Sequence, residues 1–330
     1  MPKGMMTDLL VVGLSHRTAP LAVRERLAVP GRDLPAVLAE LRTHAELSEL
    51  VLLSTCNRVE CYTRTADPGR TLPALLAFLS ASSRLDPAAL EPHLYRATGR
   101  CAAAHLFRVT TGLDSMIPGE SEITAQVKQA YLTAHAQRAT GPLLNRCFQK
   151  ALHCAKLVRA QTGIADGRGS VGSVVVELAR QLFQDRLSRC EVLLWGAGKA
   201  AEATLRHLMK IGIGQVWVVN RTQAKAQDLA VLCQGGWLSW EQARRHLAHV
   251  DIAIVCTQAP HYVIDRSDLE AILPQRAGRP LFLVDLAVPR NIDPTLKTQP
   301  GLRLYNIDDL DAIAGAAHDR RRGEFDRCEA

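Results

Sequence analysis

The hydrophobic pattern of the first 162 residues predicts a unit that mixes strands and helices. Two short apolar runs, "LLVVGLSH" at 9–16 and "ELVLLST" at 49–55, have the length and composition of strands. Residues 33–45 between them have helical spacing, because apolar positions recur every three or four residues. We therefore expect an N-terminal α/β domain over residues 1–162.

Three longer amphipathic stretches, at 100–116, 122–137 and 143–163, predict helices in the same domain. We expect the first of them to stop where Pro118 and Gly119 follow it, since proline cannot continue a helix.

The second half of the chain alternates continuous apolar runs with helical stretches. The runs at 191–195, 214–222, 250–260 and 280–290 lack alternation, as strands covered on both faces do. Strands that alternate with helices are typical of a parallel, doubly wound sheet. We expect such a domain over residues 163–310.

The composition is that of a soluble globular enzyme. Of the 330 residues, 47% are hydrophobic and 22% are charged, and no apolar run reaches the roughly 18 residues that span a membrane. The N-terminus does not have the pattern of a secretory signal, so we expect a cytoplasmic protein. A net charge of +7 permits a polyanionic partner without requiring one.

The nine cysteines are scattered and never spaced as CxxC. This pattern argues against a disulfide framework and against a structural zinc site, and we predict no metal site.

A glycine-rich turn follows the run at 191–195 and leads into a helix. It fits the GxGxxG/A pattern of Rossmann-type domains, in which the glycines allow a tight turn and a pyrophosphate approaches the helix N-terminus. We predict that a dinucleotide binds at Gly196, Ala197, Gly198, Lys199, Ala200 and Ala201.

The end of the next strand favours NADP(H) over NAD(H). An NAD site usually has a carboxylate there, whereas this chain has Asn220, Arg221 and Thr222. A guanidinium pairs with a 2′-phosphate, and Lys225 adds positive charge one helical turn later. Thr222 is also suited to cap the helix that follows, and the two roles are compatible.

Cys56 follows an apolar strand in "STCNRVECY" at 54–62. A lone cysteine is most often a small buried residue. Its neighbours Thr55, Asn57 and Arg58 are polar, however, and the positive charge of Arg58 is expected to lower the thiol pKa. A nicotinamide domain in the same chain would give an acyl group on this sulfur an obvious fate, reduction to an aldehyde.

Several long motifs resemble those of the glutamyl-tRNA reductase family. They are the segments 13–28, 54–62, 105–131 and 143–152, followed in the family's order by 196–201, 220–222 and 284–294. The match runs from about residue 8 to about residue 310.

This resemblance implies an activity. The Cys56 thiolate would attack the ester of glutamate charged on tRNA(Glu), and NADPH would reduce the thioester to glutamate-1-semialdehyde. That product is the precursor of 5-aminolevulinate in tetrapyrrole (porphyrin and heme) biosynthesis. His105 matches a histidine that would polarise the carbonyl or move a proton, whereas His16 is expected to be structural.

The resemblance also implies a set of substrate contacts. Arg58 would pair with the substrate carboxylate, a bidentate role that suits a guanidinium. The other implied contacts are Thr55, Asn57, Ser115, Glu120, Ser121, Glu122 and Gln126.

Two departures from the family pattern affect these expectations. Many members read Gly-Glu-Pro-Gln-Ile where this chain has "GESEI", so Glu120 matches whereas Ser121 and Glu122 do not. The family's long spinal helix and dimerisation domain would begin in the charged segment 311–330, where this chain stops. The family is homodimeric, and we expect this short chain to be monomeric or weakly dimeric.

Two other functions stay open on the sequence. An NADP-dependent small-molecule dehydrogenase similar to shikimate dehydrogenase would share the "NRT" feature without needing the segment at 54–58. A non-catalytic relative that binds tRNA or a partner enzyme, such as the aminomutase that follows in the pathway, would have no use for a hydride donor.

Overall fold

The computed structural model describes residues 8–116, 119–120, 122–162 and 171–316. The described chain forms two compact units, of which the first ends at residue 162 and the second begins at residue 171. The predicted boundary near residue 163 lies outside the described residues, as does 317–330 of the predicted C-terminal segment.

The first unit is built on a four-stranded antiparallel sheet. Its strands are β1 (Asp8–Ser15), β2 (Leu50–Ser54), β3 (Arg58–Thr65) and β4 (Tyr95–Thr98), in the order β2-β3-β1-β4. The central strand β1 pairs with β3 along its whole length, which places Gly13 opposite Glu60 and Ser15 opposite Arg58. This register sets the position of the polar side chains described below.

The described residues of this unit form seven α-helices. They are α1 (Leu21–Leu27), α2 (Leu34–His44), α3 (Pro68–Ser83), α4 (Pro87–Leu90), α5 (Gly99–Thr111), α6 (Glu122–Ala136) and α7 (Pro142–Gln161). The last three pack on one another, and each of them also contacts a strand. Their apolar faces, with those of the strands, close one continuous core.

The second unit confirms the expected doubly wound sheet. Its six parallel strands are β5 (Val192–Trp195), β6 (Val216–Val219), β7 (Gly236–Trp237), β8 (Ile252–Val255), β9 (Leu281–Asp285) and β10 (Leu302–Asn306). Their order is β10-β9-β8-β5-β6-β7, so the chain reverses direction across the sheet between β5 and β8. Ligands of such sheets bind at the carboxyl ends of the strands, beside this reversal.

Six α-helices lie in the part of this unit that the structure describes. They are α8 (Val171–Phe183), α9 (Lys199–Lys210), α10 (Gln223–Leu232), α11 (Trp240–His246), α12 (Arg266–Ile272) and α13 (Ile307–Ala316). Within the described residues, no helix is long and apolar enough to cross a membrane.

One expectation for the first unit is wrong, and two of its strands were not predicted. Helix α5 ends at Thr111 and not beside Pro118, because Gly112 takes the left-handed conformation (φ +81°) that closes a helix. Strands β3 and β4 had no counterpart in the predicted elements. The sequence of β3, "RVECYTRT", carries three charged residues, which concealed a strand that is buried along nearly its whole length.

Candidate active site

Cys56 lies in the tight turn that joins β2 to β3. The Thr55 hydroxyl accepts hydrogen bonds from the backbone N–H groups of Asn57 and Arg58, each at 3.1 Å. The Thr55 N–H donates to the Arg58 carbonyl at 2.9 Å and closes the turn. Thr55 therefore shapes the turn that presents the thiol, and the substrate contact implied for it stays a prediction.

A buried arginine from α1 braces the same turn. Arg24 is 1% exposed, and its guanidinium donates to the Cys56 carbonyl at 2.8 Å and to the Asn57 side-chain oxygen at 3.3 Å. The His16 N–H adds a bond to the Asn57 carbonyl at 2.8 Å. Sequence reasoning gave Arg24 no role, although it lies within the motif at 13–28.

Four polar side chains converge on the carboxylate of Glu60 in β3, which is fully buried. Arg58 contacts it at 2.6 Å, Tyr62 donates to it at 2.5 Å, and Tyr95 also donates its hydroxyl. The His105 ring nitrogen Nε2 lies 2.9 Å from the same carboxylate. Sequence reasoning missed Glu60, which connects His105 to the strand that follows Cys56.

Burial by itself would raise the pKa of Glu60, but the charge of Arg58 and the hydrogen bonds from His105 and Tyr62 outweigh it and lower the pKa to about 2. Glu60 is therefore ionised at neutral pH and acts only as an acceptor. His105 consequently carries its hydrogen on Nε2, which leaves Nδ1 available to a ligand.

Gly13 makes room for this carboxylate. A Cβ atom at residue 13 would lie 2.5 Å from the Val59 carbonyl oxygen and 2.8 Å from Cγ of Glu60. Only glycine therefore fits opposite Glu60 in this register.

The expectation that Arg58 lowers the thiol pKa of Cys56 is wrong. The Arg58 guanidinium is 1% exposed, and Glu60 and Asp114 already compensate its charge, the second at 3.0 Å. Burial, with the negative charges of Glu120 and Glu122, instead raises the pKa of the Cys56 thiol to about 12. Bidentate pairing of Arg58 with a substrate would require it to release these partners, and that role stays a prediction.

The segment that follows α5 supplies the other predicted contacts. Ser115 is buried in it, and Glu120 is anchored by Arg159 of α7, which donates to the Glu120 carbonyl at 3.1 Å. Burial and the charge of Glu122 raise the pKa of Glu120 to about 7. Gln126 is half-buried on α6.

Glu122, the first residue of α6, is exposed, and Ser121 lies outside the described residues. The two carboxylates Glu120 and Glu122 both act on the Cys56 thiol, so this segment lies beside the turn.

In the second unit, the glycine turn has the shape that a dinucleotide requires. Gly196 has φ +109°, and a Cβ there would lie 2.5 Å from the Cys256 carbonyl oxygen. A Cβ at Gly198 would meet nothing within 4 Å, and α9 starts at the next residue without a side-chain cap. Ala201, in the first turn of α9, is buried. The turn therefore leaves exposed backbone N–H groups for a pyrophosphate.

Two cations lie at the carboxyl end of the neighbouring strand β6. Arg221 and Lys225 are exposed and make no ion pair with any described residue. Asn220 donates to the Thr222 carbonyl at 3.0 Å. Thr222 occupies the N-cap position of α10, but its side chain makes no cap hydrogen bond, so the expected capping role is wrong. The cations are free to meet a 2′-phosphate.

A buried asparagine, also missed from the sequence, ties the segments after β8 and β9 together. The Asn291 amide donates to the Ala259 carbonyl at 2.9 Å and its oxygen accepts from Thr257 at 2.5 Å. Its backbone N–H donates to Asp285 at 2.8 Å. Both segments lie at the carboxyl edge of the sheet, on the other side of the glycine turn from Arg221.

Comparisons with known proteins find matches for both units of the chain. Residues 12–162 match the family model "Glutamyl-tRNAGlu reductase, N-terminal domain", and residues 177–313 match "Shikimate / quinate 5-dehydrogenase". The glutamyl-tRNA reductase of Syntrophotalea carbinolica is 42% identical over 93% of this chain and 69% of its own length. The glutamyl-tRNA reductase of Deinococcus radiodurans is 42% identical over 100% of this chain and 91% of its own length.

The chain belongs to the glutamyl-tRNA reductase family. A solved structure, glutamyl-tRNA reductase from Methanopyrus kandleri, is similar with a TM-score of 0.51 and 32% identity, over 98% of this chain and 77% of that one. The match over 12–162 favours this family over the small-molecule dehydrogenase alternative, which accounts only for the second unit.

We predict that Glu60→Gln destabilises the first unit by about 3–5 kcal/mol, because it leaves the buried Arg58 without its main counterion. The folded-state pKa of Glu60, about 2, is below its usual 4.5. Its charge therefore stabilises the fold above pH 4.5, and this stabilisation is lost as pH falls towards about 2. Thermal unfolding across this pH window should show the loss in the wild type and a flatter profile in the variant.

The control for this variant is Glu46→Gln, which removes an exposed carboxylate that pairs with Arg70 at 2.6 Å. It should change stability by less than about 1 kcal/mol. Equal effects of the two substitutions would contradict a central role for Glu60.

Proposed function

We propose that this chain reduces glutamyl-tRNA(Glu) to glutamate-1-semialdehyde with NADPH, the first step of tetrapyrrole biosynthesis. Membership of the family carries the proposal, together with a cysteine held at the tip of a braced turn. Cys56 forms a bond from its sulfur to the glutamyl carbonyl carbon, and the ester bond to the tRNA ribose breaks. The thiol proton ends on the ribose oxygen that leaves.

A thiol whose pKa is about 12 needs a base to take its proton as it attacks. We assign this role to Glu120, because its charge acts on the thiol and its own pKa of about 7 suits proton transfer at neutral pH. Glu60 holds His105 through Nε2, so Nδ1 is the atom that meets the substrate carbonyl or a transferring proton.

NADPH, when bound, supplies the hydride that converts the acyl group to an aldehyde. The residues that would hold it are those of the turn at 196–201, where Gly198, Lys199 and Ala200 are exposed, and the exposed cations Arg221 and Lys225. Asn291 keeps the segments after β8 and β9 together, where the nicotinamide half of a dinucleotide lies in this type of sheet. A weak dimer or monomer, contact with an aminomutase and a cytoplasmic location stay predictions.

Cys56→Ser should abolish acylation. Without NADPH, the wild type should trap radiolabelled glutamate from glutamyl-tRNA as a hydroxylamine-sensitive adduct, and addition of NADPH should convert it to the semialdehyde. Cys101→Ser, which changes an exposed cysteine on α5, serves as the control and should trap label normally. If tRNA binds and no label is trapped by the wild type, the non-catalytic alternative is favoured.

The acylation rate should rise with pH through about 7 and then level off, because Glu120 accepts the proton only when ionised. Glu120→Gln should lower the rate about 100-fold and remove this rise. Glu122→Gln is the matched control: it removes a like charge that raises the pKa of Glu120, so the rise should move to lower pH. A pH profile unchanged in Glu120→Gln would assign the base elsewhere.

Arg221→Ala should weaken NADPH binding about tenfold or more and leave NADH binding unchanged, because only NADPH carries the 2′-phosphate. Fluorescence titration with each nucleotide measures the dissociation constants of NADPH and NADH. Arg303→Ala, an exposed position on β10, is the control. Equal weakening for both nucleotides would show that Arg221 does not read the phosphate.

A further inference from the structure

The helices beside the Cys56 turn have an unusual charge distribution. Between residues 123 and 162 the chain contains no aspartate or glutamate, although Lys and Arg outnumber Asp and Glu by only 40 to 33 in the whole protein. The cations in this stretch are Lys128, Arg138, Arg146, Lys150, Lys156 and Arg159. This part of the first unit therefore carries much of the protein's net positive charge.

Three of these cations follow one exposed face of α7, at Arg146, Lys150 and Lys156. We call these three residues the α7 stripe. At 3.6 residues per turn these three positions fall within an arc of roughly 120° around the helix axis, and exposed His153 lies among them. The stripe is about 15 Å long, at 1.5 Å per helical residue.

The cations of the α7 stripe make no ion pair with any residue in the described ranges. Three arginines on helices of the second unit, Arg206, Arg245 and Arg266, each pair instead with a glutamate four residues away. Exposed helices usually mix the two signs in this way, which gains a few tenths of a kcal/mol per pair. The stripe lacks this compensation and is left for a partner that carries negative charge.

The position of α7 connects the stripe to the reaction site. At its C-terminal end, Arg159 donates to the Glu120 carbonyl at 3.1 Å and to Thr124 at 2.8 Å. At its N-terminal end, Glu49 accepts from the backbone N–H of Leu144 at 2.8 Å, just before β2 begins. Cys56 follows the far end of β2, so the stripe leads from the site towards the opposite end of the sheet.

We propose that the α7 stripe binds the phosphate backbone of the tRNA whose acylated end reacts at Cys56. Phosphates spaced a few ångströms apart along a strand match a row of unpaired lysine and arginine side chains, and the contact needs no base sequence. Lys128 extends the charged surface onto α6, one turn from Tyr131, whose ring stacks on Phe148 of α7 at 5.7 Å. This inference rests on the proposed function, because that function supplies the RNA.

The test is the double charge reversal Lys150→Glu with Lys156→Glu in the full chain. Anisotropy titration with non-aminoacylated tRNA should give a dissociation constant for the variant that is at least tenfold larger than that of the wild type at low salt. The slope of log affinity against log salt should also become shallower by about 1.4–1.8, since each lost phosphate contact contributes roughly 0.7–0.9. Lys150→Arg with Lys156→Arg should restore binding.

The matched control is Arg180→Glu with Lys210→Glu, which makes the same charge change at exposed positions on α8 and α9. Equal weakening in the control would mean that only net charge matters and would overturn the stripe. A second variant, Leu132→Ser with Leu157→Ser, removes two exposed leucines of α6 and α7. If this variant loses tRNA binding while the stripe variant binds normally, the proposal is also overturned.

Acylation of Cys56 at saturating tRNA separates this inference from the proposed function. The stripe variant should reach the wild-type acylation rate there, with only a higher KM. If the wild type binds tRNA and is acylated while the stripe variant binds equally well, the stripe fails and the proposed function stands. If the wild type is never acylated, the proposed function fails, whatever the stripe does.

Discussion

The carboxylate of Glu60 is the constraint on which the first unit depends. It is buried with Arg58, and two charges taken out of water are costly unless they pair and their remaining hydrogen bonds are made. Tyr62, Tyr95 and His105 complete those bonds. The arrangement therefore fixes at once the strand that follows Cys56, the rotamer of Arg58 and the tautomer of His105.

This constraint also explains why the reactive turn is stiff while its thiol is not activated. Arg24 and the backbone of His16 hold the turn through its carbonyl groups, so neither donates to the sulfur itself. The positive charge nearest in sequence, Arg58, is compensated by Glu60 and Asp114. The turn that carries Cys56 is held by these bonds, and in the proposed reaction the thiol loses its proton as it attacks.

Local patterns were enough to predict the glycine turn and the parallel sheet and to single out Cys56 as a candidate nucleophile, because each depends on residues close together in sequence. Glu60, Arg24 and Asn291 could not be found in this way. Their importance comes from partners such as His105, 45 residues from Glu60, or Ala259, 32 residues from Asn291. Strand β3 was missed because two of its three charged residues, Arg58 and Glu60, are buried by pairing with each other, which overrides the usual preference of strands for apolar residues.

The wrong pKa expectation for Cys56 has the same origin. The prediction assumed that the charged residue nearest in sequence, Arg58, determines the pKa of the thiol. The pKa of a buried group depends instead on all the residues packed around it. Burial and the carboxylates of Glu120 and Glu122 dominate at the sulfur, and neither could be weighed before the segment after α5 was placed beside the turn. The carboxylates beside the thiol and the positive face of α7 are therefore separate electrostatic features of the first unit, and in the proposed function only the second meets the phosphates of the tRNA.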